Sequence, residues 1–525
     1  MKAKALIATA LLASSALGAA SADAVAVCQQ LYATYPSLTV WDPLGSYGAE
    51  SVSNGDKYTS ALQGYWNSMN AQYRPACVFF PSTADEVSYA VQQLNKYPTT
   101  QFALKSGGHN FNVGVSSTNG GVLISFNENL SSVTRSADGE SFEVGPGARW
   151  GDVYEVTAKT NQVVVGGRLA NIGVAGLTLG GGLSYYSSQY GLACDNVLNF
   201  QVVLGNGTIA NANRTSHSDL WWALRGGGNR FGIVTKFTLQ AHDLGDNGQV
   251  WGGIRSYSAD KRQEVFKALS TFIRDYPDAK AAVIPTFSFG PSGSTPTIFF
   301  FYDGSTPPAN AFSGLENVEA ILDTTATTTY VNITNLTGGA RPDGFSVGAR
   351  VNTFPSLEPE KTSQLLEALF ELYQNQIRNI SSRDIDIQMG AFTPQPLSVR
   401  IARASANQGG NALGLDPANG DRIWVENNLM WINPVCNEAC PAYLREITNQ
   451  ATSDFTSTFE DETPTNYQWG DIRFISLNPL FMNDAADDQD VYSSYGAKNK
   501  ARLQQIAQAY DSAGFMKRQG GWVLN

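Results

Sequence analysis

Lys105-Ser106-Gly107-Gly108-His109-Asn110 follows a short β-prone run, residues 101–104, and precedes a second, residues 122–126. Paired glycines let a backbone approach a ligand closely and turn successive amide N–H groups towards phosphate oxygens; Lys105 and the His109 imidazole flank that nest. The chain has only 3 histidines, and one of them sits at the tip of a glycine turn, where it has little to pack against. The hexapeptide alone reads equally as a polar hairpin turn or as a ligand cradle, and the sequence around it separates the two.

Upstream, residues 76–81 predict a strand and 85–95 a helix capped by Ser82 or Thr83, after a mixed stretch, 23–72, of Gly/Ser/Asn-rich loops carrying Tyr and Trp. Downstream, 141–145 alternates as a strand does and 150–160 has helical character. Glycines then cluster three more times. Gly166-Gly167-Arg168 runs through Gly173-Val174-Ala175-Gly176 to Gly180-Gly181-Gly182; Gly205-Asn206-Gly207 makes a hairpin turn after the strand 196–204; Gly226-Gly227-Gly228 separates a helical turn, 219–224, from the strand 231–239. β–α alternation with short glycine turns predicts an α+β fold of a nucleotide-handling style rather than a sandwich. Beyond about His242 the glycine clusters stop. Strands 282–289, 297–302 and 422–432 and the amphipathic helix 358–377 predict a second α+β domain that covers something rather than cradling phosphates. From Tyr467 motif-like text returns, with Leu480-Phe481-Met482-Asn483-Asp484, Tyr495-Gly496 and a basic amphipathic helix, 498–510.

At 525 residues, two large domains or one interrupted domain are expected, and 42% hydrophobic residues suffice for a sizeable core. The net charge is −11 with basic residues scattered, which argues against nucleic acid, anionic membrane surfaces and polyanionic substrates. Met1-Lys2-Ala3-Lys4, an apolar run 5–17 and small residues ending Ala20-Ser21-Ala22 read as a secretory signal, 1–22, too short to span a membrane. The sequons at Asn129, Asn206, Asn213, Asn332, Asn335 and Asn379 fit a secreted glycoprotein, Asn206 least because it lies in a tight turn. In an oxidising compartment 5 cysteines suggest two bridges and one thiol: Cys28 with Cys77, Cys436 with Cys440, and Cys194 as a buried thiol rather than a nucleophile. Three dispersed histidines without a Cys-x-x-Cys provide no metal site.

Four ordered stretches carry a resemblance. Lys105 to His109, Gly-Val-Ala-Gly-Leu-Thr-Leu-Gly-Gly-Gly at 173–182, Tyr-Gly-Leu-Ala-Cys-Asp-Asn at 190–196, and Trp-Trp-Ala-Leu-Arg-Gly-Gly-Gly-Asn-Arg-Phe-Gly-Ile-Val at 221–234 resemble the FAD-linked oxidases of the vanillyl-alcohol oxidase type, especially the berberine-bridge-enzyme-like branch. Tyr495-Gly496, Asn499, Arg502-Leu503, Ile506 and Tyr510-Asp511 resemble that branch's terminal signature, so the match covers roughly 73–241 and 478–515. The resemblance implies a two-part FAD-binding (PCMH-type) domain, 73–241 completed by 466–525, with residues 242–465 inserted as an α+β substrate domain in which helices cover an antiparallel sheet. It implies FAD bound covalently to His109, with Lys105, Ser106, Gly107, Gly108, Asn110, Gly114, Gly173, Val174, Gly176, Leu177, Gly180, Gly181, Gly182, Ile233, Val234 and Asn483 as further contacts. Leu169 stands where doubly tethered members carry a cysteine, which implies one covalent bond.

The chemistry so implied is hydride abstraction from a C–H beside an alcohol or amine of a sugar, aromatic alcohol or secondary metabolite, with O2 taking the electrons to give H2O2. A flavoprotein that binds or templates without redox turnover, or a dehydrogenase with another acceptor, are the alternatives. Where relatives acting on alcohols or sugars have Tyr-x-Asn this chain has Phe481-Met482-Asn483, so the base is sought elsewhere: Tyr185, Tyr186 or Glu426.

Overall fold

The computed structural model describes residues 20–45, 55–290, 293–338, 344–381, 387–459, 461–468 and 478–525. Residues 1–19, which hold most of the segment read as a secretory signal, lie outside them. Three sheets organise the chain. In the first, β1 (Thr39–Trp41), β2 (Cys77–Phe79), β3 (Phe102–Lys105) and β4 (Val122–Ser125) stand in the order β1-β2-β4-β3, with β4 parallel to both β2 and β3. The helix Ala84–Lys96 starts in a capping box: Thr83 Oγ1 accepts from the Glu86 N–H while the Glu86 carboxylate accepts from the Thr83 N–H.

The stretch 23–72, read as mixed, supplies the helix Ala22–Thr34 and β1. Ala24, Val27, Cys28 and Leu31 form a narrow buried stripe at helical spacing, too short to stand out from the polar residues around it. A disulfide from Cys28 to Cys77 fixes that helix to β2 across 49 residues of sequence.

The second sheet is antiparallel and has the order β5-β6-β10-β8-β9: β5 (Val133–Arg135), β6 (Ser141–Val144), β8 (Val197–Val203), β9 (Ile209–Asn213) and β10 (Ile233–Asp243), with β7 (Gln162–Val164) also on β10. β8 and β9 are joined by the hairpin turn at Gly205-Asn206-Gly207. A fully buried ion pair, Arg225 Nη2 to Asp195 Oδ1 at 2.9 Å, joins the motif before β8 to the glycine loop before β10; Asp195 also accepts from the Leu192 N–H and Asn411 Nδ2, so the buried carboxylate is satisfied by several donors.

The end of the chain packs on this half. Arg230, 7% exposed, donates to the carbonyls of Trp522, Met516 and Gln519. Tyr492 and Tyr495 donate to the carbonyls of Gly227 and Gly226, and Arg518 to those of Leu94, Tyr97 and Thr100. The charge-assisted bonds from Arg230 and Arg518 contribute roughly 1.5–3 kcal/mol each and the neutral tyrosine bonds about 1 kcal/mol, enough to hold a segment that has little sheet pairing of its own.

The third sheet is antiparallel, of eight strands: β11 (Gln249–Ser256), β12 (Ala281–Gly290), β13 (Gly293–Tyr302), β14 (Leu322–Asp323), β15 (Ala326–Thr329), β16 (Ser346–Pro355), β17 (Ile387–Leu397) and β18 (Arg422–Trp431), ordered β14-β11-β13-β12-β17-β18-β16 with β15 beside β11. Helices Arg262–Asp275, Pro359–Ser381 and Cys436–Phe459 cover one face, where Phe287, Phe392, Val425 and Leu429 join their core. The alternate residues of the same strands point to the opposite face. Cys436 and Cys440, one turn apart on the last of these helices, are bridged, and Cys194 is a buried free thiol. Among the described residues no helix is long and apolar enough to cross a membrane.

Candidate active site

A cavity of about 460 Å³ lies between the glycine loops and the uncovered face of the third sheet. One wall is the opening hexapeptide: β3 runs out at Lys105, and Ser106, Gly107, Gly108, His109 and Asn110 all line the space. Gly108 has φ +72°, which suits glycine, and a Cβ on either Gly107 or Gly173 would land on the other's backbone. Two glycine loops, 66 positions apart in sequence, therefore touch main chain to main chain. Arg149 ties them together, donating to the carbonyls of Gly107 and Asn171. The Trp66 ring stacks on the His109 imidazole at 4.5 Å and 21°, and the Trp66 N–H bonds the Gly108 carbonyl at 2.9 Å, so the imidazole is held against one face of an indole.

Lys105 differs from the expectation that it flanks the nest. Its ammonium turns away from the cavity, donates to the carbonyls of Ala61 and Gln63 at 2.5 and 2.6 Å, and sits 4.0 Å over the Tyr65 ring. On a β-strand a residue one position before a turn points to whichever face the pleat assigns, and here that face is the interior. Gly173, Gly176, Leu177, Gly180, Ile233 and Val234 line the cavity, whereas Gly114, Val174, Gly181 and Gly182 do not. Val174 is fully buried in the core, and Gly114 donates its N–H to Asn70 Oδ1. Asn483 lines the cavity too, but its amide is spent on the loops: Oδ1 accepts from the Gly182 N–H at 3.1 Å, and Nδ2 donates to the carbonyls of Gly176 at 3.1 Å and Leu177 at 3.2 Å.

Of the three side chains considered for base chemistry, the structure separates one from the others. Tyr185 and Tyr186 are buried, 1% and 0% exposed, in an aromatic cluster with Tyr154, Phe301 and Tyr330, and neither lines the cavity. Burial raises both phenols well beyond the range of a useful base, and the Tyr186 hydroxyl is aimed at Asp303. Glu426 does line the cavity. The pairing register explains how: Thr393 faces Glu426 and Ala391 faces Asn428 across β17 and β18, so Ala391, Thr393, Gln395, Glu426 and Asn428 share the uncovered face.

Sequence reasoning passed over three polar residues of this wall. Arg168, Gln395 and Asp484 all line the cavity; Arg168 donates to Gln395 Oε1, and Gln395 Nε2 donates to Asp484 Oδ2 at 2.9 Å. The residues come from a glycine loop, a strand of the third sheet and the C-terminal segment, so only the alternation of 391, 393 and 395 with 426 and 428 could have hinted at a shared face. Burial drives the Asp484 carboxyl far up and the Glu426 charge adds to it, against the Arg168 guanidinium and the Gln395 amide. Burial likewise raises Glu426, opposed by the Asn428 amide at 3.1 Å and by Arg168. Phe481, in the place of the expected tyrosine, stacks on Trp424 at 4.4 Å and 11° and makes this end of the cavity apolar.

The cavity fits a large polar cofactor. Ser116 Oγ and Asn171 Oδ1 are buried at its wall without hydrogen-bond partners, and a Cβ on Gly176 would project into open space. Residues 75–213 match the model of the FAD binding domain. The chain is 32% identical over 485 residues to an FAD-linked oxidoreductase of Arthroderma benhamiae, covering 90% of this chain and 92% of that one. It is 30% identical to an FAD-dependent monooxygenase of Fusarium proliferatum, over 94% of this chain and 93% of that one. In fold it is similar to 6-hydroxy-D-nicotine oxidase of Arthrobacter nicotinovorans (TM-score 0.70, 18% identity, 90% of this chain and 97% of that one). A berberine-bridge-enzyme-like protein of Physcomitrella patens is similar to the same degree (TM-score 0.70, 17% identity, 93% of this chain and 97% of that one). With near full-length sequence similarity to an FAD-linked oxidoreductase, and with the fold of vanillyl-alcohol-oxidase-type flavoproteins, the chain belongs to the FAD-linked oxidoreductases.

Proposed function

We propose that this is a secreted FAD-linked oxidase, holding its flavin by one covalent bond to His109, that oxidises an alcohol, or an amine, of a sugar, aromatic alcohol or secondary metabolite and returns the electrons to O2 as H2O2. The observation that carries the reading is His109 itself: it lines the cavity at the meeting point of two glycine loops, with its ring held by Trp66. Bound flavin supplies a two-electron acceptor for hydride, and a covalent link to histidine raises its potential. The chain's own part is to exclude water and move one proton. Residues 106–110 and 173–180 cradle the cofactor, 242–465 form the substrate-side domain, and Glu426 on β18 is the base. Leu169 lines the cavity where a second tether would need a thiol, which favours a single bond. Two disulfides and the sequons agree with export.

The test begins with acid precipitation of the purified protein. Flavin stays in the pellet for the wild type and is released for His109→Ala; flavin still held by that variant overturns the tether. Photoreduction followed by air then separates an oxidase, reoxidised within seconds, from a protein that stays reduced for minutes. A second reading, oxygen insertion, is favoured by the name of the Fusarium proliferatum relative. Peroxide released in equal amount to product, screened over sugars, aromatic alcohols and polyketide-like alcohols, supports the oxidase, and isotopically labelled oxygen appearing in product supports insertion.

A further inference from the structure

The reading of the cavity as an oxidase site leaves one group without a task. Asp484 is a carboxyl turned into the cavity one residue beyond Asn483, whose three hydrogen bonds fasten this turn to the glycine loops. The turn is therefore a rigid mount. Among the described residues the only side chain hydrogen-bonded to Asp484 is Gln395, and that amide is oriented by Arg168, which takes its Oε1 and leaves Nε2 for Asp484 Oδ2. Asp484 Oδ1 is thus free to meet a molecule in the cavity. Glu426 approaches from the sheet side, its Oε1 held by Asn428.

Two carboxyls facing one cavity, both with burial against their charged form, do not both ionise when a single guanidinium stands near them. Asp484 is the member that keeps the proton: burial drives its carboxyl well up and the Glu426 charge adds to that, whereas at Glu426 burial is opposed by the Asn428 amide and Arg168. The other titratable groups facing the pair are Arg168, with Tyr185 and Tyr330 behind it, and Tyr373 beyond Glu426. None of these supplies a second cation, so Glu426 as carboxylate, Asp484 as acid and Arg168 together carry no net charge.

We propose that Asp484 is a second catalytic residue, a protonated carboxyl that donates a hydrogen bond to the same substrate oxygen whose proton Glu426 removes, and that the pair selects neutral, hydroxylated, largely apolar substrates. This rests on the oxidase reading and deepens it. In the step, the substrate C–H bond breaks with its electron pair passing to oxidised flavin as hydride. The O–H proton goes to Glu426, the C=O bond forms, and Asp484 keeps its own proton and its hydrogen bond to the new carbonyl oxygen. An anionic substrate meets the Glu426 charge with Arg168 already engaged by Gln395. The apolar surroundings, Phe299, Ile284 and Phe481, favour an aromatic or polyketide-like carbon frame over a free sugar.

Infrared spectroscopy of the flavin-loaded protein tests the protonation directly, without substrate. The wild-type minus Asp484→Asn difference at pH 7 should contain a carboxylic-acid C=O band. In Glu426→Gln, where the neighbouring charge is gone, the Asp484 acid should titrate at lower pH than in wild type. A difference spectrum with no acid band, or a titration that Glu426→Gln leaves in place, overturns the proposal. Flavin bleaching by benzylic and secondary alcohols, each paired with its carboxylate-bearing analogue, tests the selection. Glu426→Gln should slow bleaching at least about 100-fold, and Asp484→Asn, which exchanges a neutral acid for a neutral amide, should leave the pH at which the rate rises in place while neutral members remain preferred; a rise moved to lower pH would mean an ionised Asp484 and overturn the proposal. Equal rates with the carboxylate analogues overturn the selection. Bleaching by none of the alcohols, with the acid band present, overturns the oxidase reading instead and leaves the protonation result standing.

Discussion

Asn483→Ala removes the tie between the C-terminal segment and the glycine loops, and the structure allows its cost to be worked out. The side chain makes three hydrogen bonds, to Gly182 N–H, the Gly176 carbonyl and the Leu177 carbonyl, across 301 to 307 residues of sequence. At roughly 1 kcal/mol each, truncation should cost about 3 kcal/mol. A chain of this length has an unfolding entropy near 1 kcal/mol per kelvin, so Tm should fall by about 3 °C if the two halves melt together. Asn483→Asp is the sharper variant. It keeps the Oδ1 acceptor for Gly182 but replaces the donor with an oxygen facing two carbonyls, so at pH 8 it should be less stable than the alanine variant and recover as the carboxyl is protonated. Differential scanning calorimetry gives Tm, and the ratio of flavin to protein absorbance gives cofactor content, which should fall in both variants as the loops loosen. An alanine variant with wild-type Tm and flavin content, or an aspartate variant more stable than alanine at pH 8, would refute the reasoning.

The two disulfides should differ in worth. The Cys28–Cys77 bridge closes 49 residues and removing it should cost about 4 kcal/mol in chain entropy, against about 2 kcal/mol for Cys436–Cys440, which closes a single helical turn; urea midpoints of the two double alanine variants give the order. His242 stacks on Tyr190 at 3.8 Å, and burial lowers its pKa from 6.5 to about 4. Its stabilising effect is fully present above pH 6.5, because the unfolded chain takes up a proton as the pH is lowered through that value while the native imidazole does not; it is lost, up to about 3 kcal/mol, as pH falls to 4. His242→Gln should flatten the stability profile between those values, and an unchanged slope would show that other groups set it.

Local chemistry made much of this protein legible in one dimension. The glycine loops could be read because a close backbone approach admits no side chain: Gly107 and Gly173 meet where a Cβ on either would strike the other. The helix Ala84–Lys96 and the hairpin of β8 and β9 could be read because cap and turn are set by a few adjacent residues. Strand β17 was not legible, since Pro394 and Pro396 argue against a central strand. It tolerates them because β12 pairs with it only over residues 390–392, and beyond that point the backbone on that side has no ladder to donate to. Which of the three candidates for the base lines the cavity was equally hidden. Tyr185 and Tyr186 lie beside a glycine triplet in sequence, yet the packing of Phe301 and Tyr330 closes them into the core. Sequence by itself therefore determined the family, the glycine loops that meet at the cavity and the cysteine pairs, because each depends on neighbours in the chain or on backbone contact that only glycine permits. The polar wall of Arg168, Gln395, Glu426 and Asp484 was decided by tertiary structure alone, since its members come from three distant segments and share a face only once the sheet registers are set.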